Sequence, residues 1–184
     1  MNCFIDLDGV LTDFVKQMCR VHGEEDPYKE YSYLGQYDLA KIWQMSDTEF
    51  WHPANKVEFW EEMPLTREAE DIVSTVIQKF GLENTAILTA PSKNPNSVVG
   101  KLNWVEENFP ELRESTIVAQ CKDFLARENV LVDDRDSNIE DFRNAGGRGI
   151  LLPRAWNSQY KDRHIPLHIL ERELSKIKVV KKRG

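Results

Sequence analysis

No apolar run in the 184 residues approaches the roughly 20 that a membrane-spanning helix needs, which argues against a chain embedded in a bilayer. Cysteine is scarce. Cys3, Cys19 and Cys121 are odd in number and lack metal-site spacing, so the expectation is free thiols in a reducing cytosol, with neither a disulfide framework nor a zinc centre. Positive charge is in deficit: 24 Lys and Arg against 31 Asp and Glu give a formal net charge of −7. A surface of that sign repels a polyanion, so no nucleic acid polymer is expected as partner, while a local cluster of cations could still hold one small phosphorylated molecule. The N-terminus runs straight into an apolar strand with no leader pattern, so no signal peptide is expected and the location read from the sequence is cytoplasmic. Internal repeats and low-complexity linkers are also lacking.

What remains is a globular composition, 41% hydrophobic and 30% charged, long enough for one core with an insertion. Its first stretch, Phe4 to Phe14, reads as a buried strand ending in Asp6 and Asp8, with Gly9 allowing a sharp turn. A helix follows to His22. Residues 23–64 then change character, being rich in aromatics and without a β-branched run. Short helices are expected there at Asp38 to Gln44, Asp47 to Trp51 and around Val57 to Glu62, with Ser46 or Asp47 as an N-cap. The expected division is therefore a core of residues 1–22 and 65–184 and a helical cap of residues 23–64.

Beyond Pro64 the pattern alternates. An amphipathic helix over Ala69 to Phe80 stops at Gly81, and a strand over Thr85 to Leu88 leads to Thr89. A helix from Asn96 to Asn108, a short strand Thr116 to Ala119, a strand Val130 to Val132 before Asp133 and Asp134, a helix Ser137 to Ala145 and a last strand Gly149 to Leu152 follow. Strands alternating with helices imply an α/β, doubly wound, mostly parallel Rossmann-like sheet. After a loop with Arg154, Trp156 and Tyr160 comes a C-terminal helix, and the basic tail Lys176 to Arg183 reads as a solvated helix end.

Parallel strands share one C-terminal edge, so Asp6 and Asp8, Thr89, Lys122, and Asp133 and Asp134 should converge there. Singly, each has a plain structural role: an Asp-Leu-Asp-Gly turn, a strand-end cap, a surface lysine, an acidic helix start. Together they are oxygen ligands for a hard divalent cation such as Mg²⁺, with a hydroxyl and a cation for phosphate. Asp133, Asp134 or both would share the ion with Asp6 and the carbonyl of Asp8.

The stretch from Phe4 to Leu11 resembles the first motif of the haloacid dehalogenase superfamily of phosphohydrolases. That resemblance implies Asp6 as the nucleophile forming an aspartyl phosphate, and Asp8 as the acid that protonates the leaving oxygen and then the base that activates water. A receiver domain of a signalling pathway uses similar residues, but there the acid pair comes first and the lysine last, the reverse of the order here. More narrowly, Asp6 to Phe14, Phe59 to Leu65, Ile87 to Pro91, Lys101 to Glu106 and Val132 to Arg135 resemble the 5'(3')-deoxyribonucleotidase family. By that likeness Phe14 would stack on a base, Thr89 and Lys122 would hold phosphate, and Lys101, opening a helix, would be a second cation beside it. Tyr33, Tyr37 and Trp51 of the cap would complete the base pocket. The implied partner is a small nucleotide or other phosphomonoester, such as a sugar phosphate, and a homodimer is allowed. Ala90 departs from the family's serine, so one phosphate or sugar contact is missing or is supplied by Ser92 or Lys93. A catalytically idle binding relative is disfavoured by four intact carboxylates.

Overall fold

In the computed structural model, which describes residues 1–178, strand β1 (Cys3–Ile5) is wholly buried and lies at the middle of a five-stranded parallel sheet. The others are β2 (Thr85–Thr89), β3 (Ile117–Val118), β4 (Val130–Asp133) and β5 (Arg148–Leu151), in the order β3-β2-β1-β4-β5. Register is set by apolar pairing, with Ile5 opposite both Ile87 and Val132. Because side chains alternate across a strand, each strand feeds two cores. Cys3, Ile5, Ile87, Val130, Val132 and Ile150 face the larger cluster, whereas Phe4, Ala86, Leu88, Leu131 and Leu151 face the smaller.

Helices cover both faces. On the larger side pack α1 (Phe14–His22), α5 (Ala69–Phe80), α6 (Asn96–Asn108) and α8 (Pro166–Ser175), through residues such as Met18, Ile72, Trp104 and Leu170. On the smaller side α7 (Asp136–Asn144) buries Ile139 and Phe142. The chain leaves β1 toward β2 and leaves β4 toward β5, so neighbouring strands β1 and β4 send it in opposite directions. That divergence opens a crevice at their C-terminal ends, the usual ligand position of such sheets.

Between α1 and α5 the aromatic segment folds as two 3-10 turns (Pro27–Lys29 and Tyr31–Tyr33), α2 (Leu39–Ile42), α3 (Asp47–Trp51), a further 3-10 turn (Pro53–Asn55) and α4 (Val57–Glu61). Ser46 caps α3 in a reciprocal capping box with Glu49, as its sequence suggests. The segment returns close to where it left: Asp13 N donates to the Pro64 carbonyl at 2.7 Å, and Thr66 N to that of Leu11 at 2.8 Å. Helix α4 lies against α6, where Gly100 admits it. A Cβ at Gly100 would sit 2.5 Å from the Val57 carbonyl oxygen and 2.6 Å from Trp60 Cβ. Most of the basic tail, from residue 179 on, lies outside the described residues.

Candidate active site

The turn after β1 is built on the carbonyl of Leu7, which accepts from the backbone N–H groups of Val10, Leu11 and Thr12. Gly9 sits there at φ +77°, and a Cβ on it would stand 2.3 Å from Asp134 Oδ2. Only glycine lets the turn and the acid after β4 come so close. Asp6 continues the ladder through its N–H to the Val132 carbonyl at 2.9 Å. Its Oδ1 accepts from Leu7 N at 2.8 Å and from Lys122 Nζ at 2.7 Å. Lys122, in a 3-10 turn after β3, also reaches Asp133 Oδ2 at 2.6 Å. Two of its three N–H donors are so engaged, and one is left for a ligand.

Oxygens of Asp6, Asp133 and Asp134 all lie within 4.8 Å of one another. Acids from both ends of the chain therefore share one rim of the sheet. The two adjacent acids differ in what they have free. Asp133, wholly buried, accepts from Lys122, from Arg135 N at 2.9 Å and from Asn138 Nδ2. Among the described residues, Asp134 accepts at its carboxylate only from Trp156 Nε1, at 2.5 Å. Asp134 is thus the better placed to offer an oxygen to a cation.

Thr89, Asp8 and Lys101 form the other half of the site. Lys101 Nζ donates to Asp8 Oδ2 at 2.5 Å, to Thr89 Oγ1 at 3.1 Å and to the Ala90 carbonyl at 2.6 Å, and it lies 4.7 Å from the centre of the Trp60 ring. Its three donors are all committed. Thr89 accepts there, so its own O–H stays available. Asp8 Oδ1 is buried without a hydrogen-bond partner.

Charge is unbalanced. Four carboxylates, Asp6, Asp8, Asp133 and Asp134, face two ammonium groups, Lys101 and Lys122. Burial pushes the Asp6 carboxyl up, and Asp133, Asp8 and Asp134 add to this while Lys122 opposes it. Burial, helped by Asp133, pushes Asp134 up to about 7 against the pull of Trp156, Arg154 and Lys122. Burial alone would lower Lys122, but the Asp6 and Asp133 carboxylates outweigh it and raise the group. A surplus of two negative charges, convergent oxygens and an orphaned carboxylate oxygen suit a divalent cation with oxygen ligands.

Above these groups opens a cavity of about 690 Å³, with Phe14, Tyr37, Trp51 and Trp60 among its walls. Phe14 lies at the first position of α1 with its ring centroid 5.9 Å from that of Trp51 and 6.3 Å from Trp60. Polar groups line it too, notably Asp47, Asn55 and Lys93.

Residues 1–167 match the family described as 5' nucleotidase, deoxy (pyrimidine), cytosolic type C. The chain belongs to this family. As a member of the deoxyribonucleotidases of the haloacid dehalogenase superfamily it is a phosphoric monoester hydrolase. It is 20% identical over 139 residues to a 5'(3')-deoxyribonucleotidase of Bacillus subtilis, covering 75% of this chain and 78% of that protein. A 5'(3')-deoxyribonucleotidase of Bacillus phage SPbeta matches to the same extent. In fold, a haloacid dehalogenase-like hydrolase from Streptococcus pneumoniae superposes with a TM-score of 0.55 at 13% identity, over 93% of this chain and 97% of that one.

For this nucleotidase the structure brings together all the acids, lysines and Thr89 expected from the sequence, with Phe14 in the cavity wall. Three expectations need correction. Tyr33, half-buried in an otherwise exposed 3-10 turn, packs against the larger core rather than lining the cavity. Lys101 does not open its helix, since α6 begins at Asn96 after Pro95 as N-cap and Lys101 falls in the second turn. Ser92 is no free substitute for the family's serine, its hydroxyl being engaged with Asn94; Lys93 is exposed and lines the cavity. Residues that sequence reasoning left without a role are Arg154, Trp156, Asn157 and Asn138. Arg154, 8% exposed, donates to the carbonyls of Gly9 and Val10 and pairs with Glu68 at 2.6 Å. A lone buried-type arginine and tryptophan after the last strand were the only signals of this grip.

Proposed function

We propose that this family member is a Mg²⁺-dependent phosphomonoesterase that dephosphorylates deoxynucleoside monophosphates, with Asp6 as nucleophile. The observation that carries the reading is the convergence of Asp6, Asp133 and Asp134 oxygens within 4.8 Å under an aromatic-walled cavity. About 690 Å³ lies within the ordinary range of small-molecule pockets. The relatives from Bacillus subtilis and its phage are themselves 5'(3')-deoxyribonucleotidases.

Asp6, Asp134 and the carbonyl of Asp8 would hold Mg²⁺, with Asp133 held to Lys122 behind them. When bound, the ion would neutralise the surplus acid charge and fix the phosphoryl oxygens. Asp6 Oδ then attacks phosphorus, forming the aspartyl phosphate as the bond to the leaving oxygen breaks. Asp8, on the far side of that bond, gives its proton to the leaving oxygen and next takes one from the water that attacks the phosphoaspartate. The free donor of Lys122 and the hydroxyl of Thr89 meet the phosphoryl oxygens, and Lys101 holds Asp8 in line. Phe14 and Trp51 would take the base between apolar faces, since every base offers a π face. Residues 23–64 serve as a cap on the core of residues 1–22 and 65–184. We place this work in the cytoplasm, the location expected of a chain with three free cysteines.

The test is phosphate release from a panel of deoxynucleotides, ribonucleotides and sugar phosphates, with and without Mg²⁺. Deoxynucleoside monophosphates should be turned over best, only with the metal, and Asp6→Asn should abolish turnover while leaving the fold intact. Preference for sugar phosphates would reassign the substrate, and appreciable activity in Asp6→Asn would overturn the covalent route.

A further inference from the structure

The loop after β5 grips the segment that carries the paired acids. Leu152 N donates to the Asp133 carbonyl at 2.8 Å, Asn157 Nδ2 to the Asp134 carbonyl at 2.8 Å, and the Ser158 hydroxyl bonds Asp136. Asn157, 1% exposed, is itself fixed by accepting from Arg154 N and Gln159 N. The first two contacts hold backbone, and the third holds the side chain of Asp136, outside the acid cluster. One contact holds a reacting-site side chain: Trp156 Nε1 on Asp134 Oδ2 at 2.5 Å.

Its partner chemistry is particular. An indole N–H only donates, so it cannot compete with the carboxylate for a cation, and it is neutral, so it leaves the full charge of Asp134 in place. Lys122 does the opposite to Asp6 and Asp133. With Oδ2 held by Trp156 and the carboxylate backed against Gly9, the direction of Oδ1 is set. The indole is in turn braced from the aromatic insertion by Tyr28, whose ring centroid lies 5.6 Å away and whose hydroxyl donates to the Gln36 carbonyl at 2.7 Å. The same loop accepts Gly35 N on the Ala155 carbonyl at 2.7 Å.

We propose that Trp156 is a positioning residue that orients the Asp134 carboxylate for divalent-cation binding through its indole N–H. The inference rests on the metal site proposed above and adds a residue to its surroundings, where partners of metal ligands ordinarily set affinity.

The experiment titrates Mg²⁺ alone into the metal-free full chain by calorimetry, for the natural protein, Trp156→Phe and Tyr28→Leu. Phenylalanine keeps an aromatic ring beside Tyr28 and removes the donor. We expect Trp156→Phe to weaken Mg²⁺ binding by about tenfold or more, and Tyr28→Leu, which keeps the N–H, to change it by less than about threefold. Unchanged affinity in Trp156→Phe, or an equal loss in Tyr28→Leu, overturns the proposal. Should Trp156→Phe not fold, the assigned indole ¹⁵N–¹H resonance of Trp156 in the natural protein decides. Movement in step with Mg²⁺ saturation supports the role and a static resonance removes it. No Mg²⁺ binding by the natural protein would remove the metal site as well, whereas tight binding indifferent to Trp156 removes this inference alone.

Discussion

Lys101 separates two ideas of what a lysine in this site is for. Likeness to the family makes it a second cation for phosphate, yet its three N–H groups already meet Asp8, Thr89 and the Ala90 carbonyl. In that arrangement it holds Asp8, the proposed acid and base, in place more than it holds substrate. We expect Lys101→Met to lower kcat by about a hundredfold, the low end of what a positioned acid and base contributes, with a smaller change in KM. Steady-state kinetics on a nucleotide and on a small generic phosphate ester would check it. A raised KM with kcat intact would return Lys101 to phosphate binding. At this scale the sequence disclosed Asp6, Asp8, Thr89, Lys122, Asp133 and Asp134, because each stands just past a recognisable strand or in the turn after one. It could not disclose who holds whom. The choice between Asp133 and Asp134 depends on Asn138, Arg135 N and Trp156, contacts that only folding creates.

Elements were legible where apolar spacing and capping signals agree. Helices over 69–80 and 96–108 and the capped α3 fall where periodicity puts them, whereas β3 shortens to Ile117–Val118 at the sheet's edge. How the aromatic insertion docks was not legible, since nothing in its composition names Gly100 as the point where α4 meets α6. A methyl there has no room, its nearest neighbours being a backbone oxygen at 2.5 Å and Trp60 Cβ at 2.6 Å. Helix propensity favours Gly100→Ala by somewhat under about 1 kcal/mol, but overpacking costs about 1–3 kcal/mol and wins. We expect the variant to unfold at lower temperature or denaturant. Because Trp60 and the neighbouring Lys101 both line the cavity, nucleotide KM should rise as well. A variant as stable as the natural protein would mean that α4 can move away at little cost.

For the whole molecule, the acid cluster links stability to pH. Asp134 titrates near 7 in the folded chain against about 3.9 unfolded, so between those values the native state binds more protons. Stability of the metal-free protein should therefore fall as pH rises from about 4 to 7, by at most about 4 kcal/mol for three pKa units, and the raised Asp6 acts in the same direction. On the site proposed above Mg²⁺ would bind the ionised acids, which should flatten the trend. Melting temperatures between pH 5 and 7.5, with chelator and with saturating Mg²⁺, would check both; a chelated protein that gains stability across this window would contradict the account.

The strand at the middle of the sheet is the first one made, and its partner β4 is synthesised some 125 positions later. On the ribosome Asp6 waits on the order of ten seconds before Asp133 and Asp134 emerge beside it. A nascent or prematurely terminated polypeptide therefore carries Asp6 but no assembled centre, and the hydrolase cannot begin work until Asp134, residue 134 of 184, has been translated.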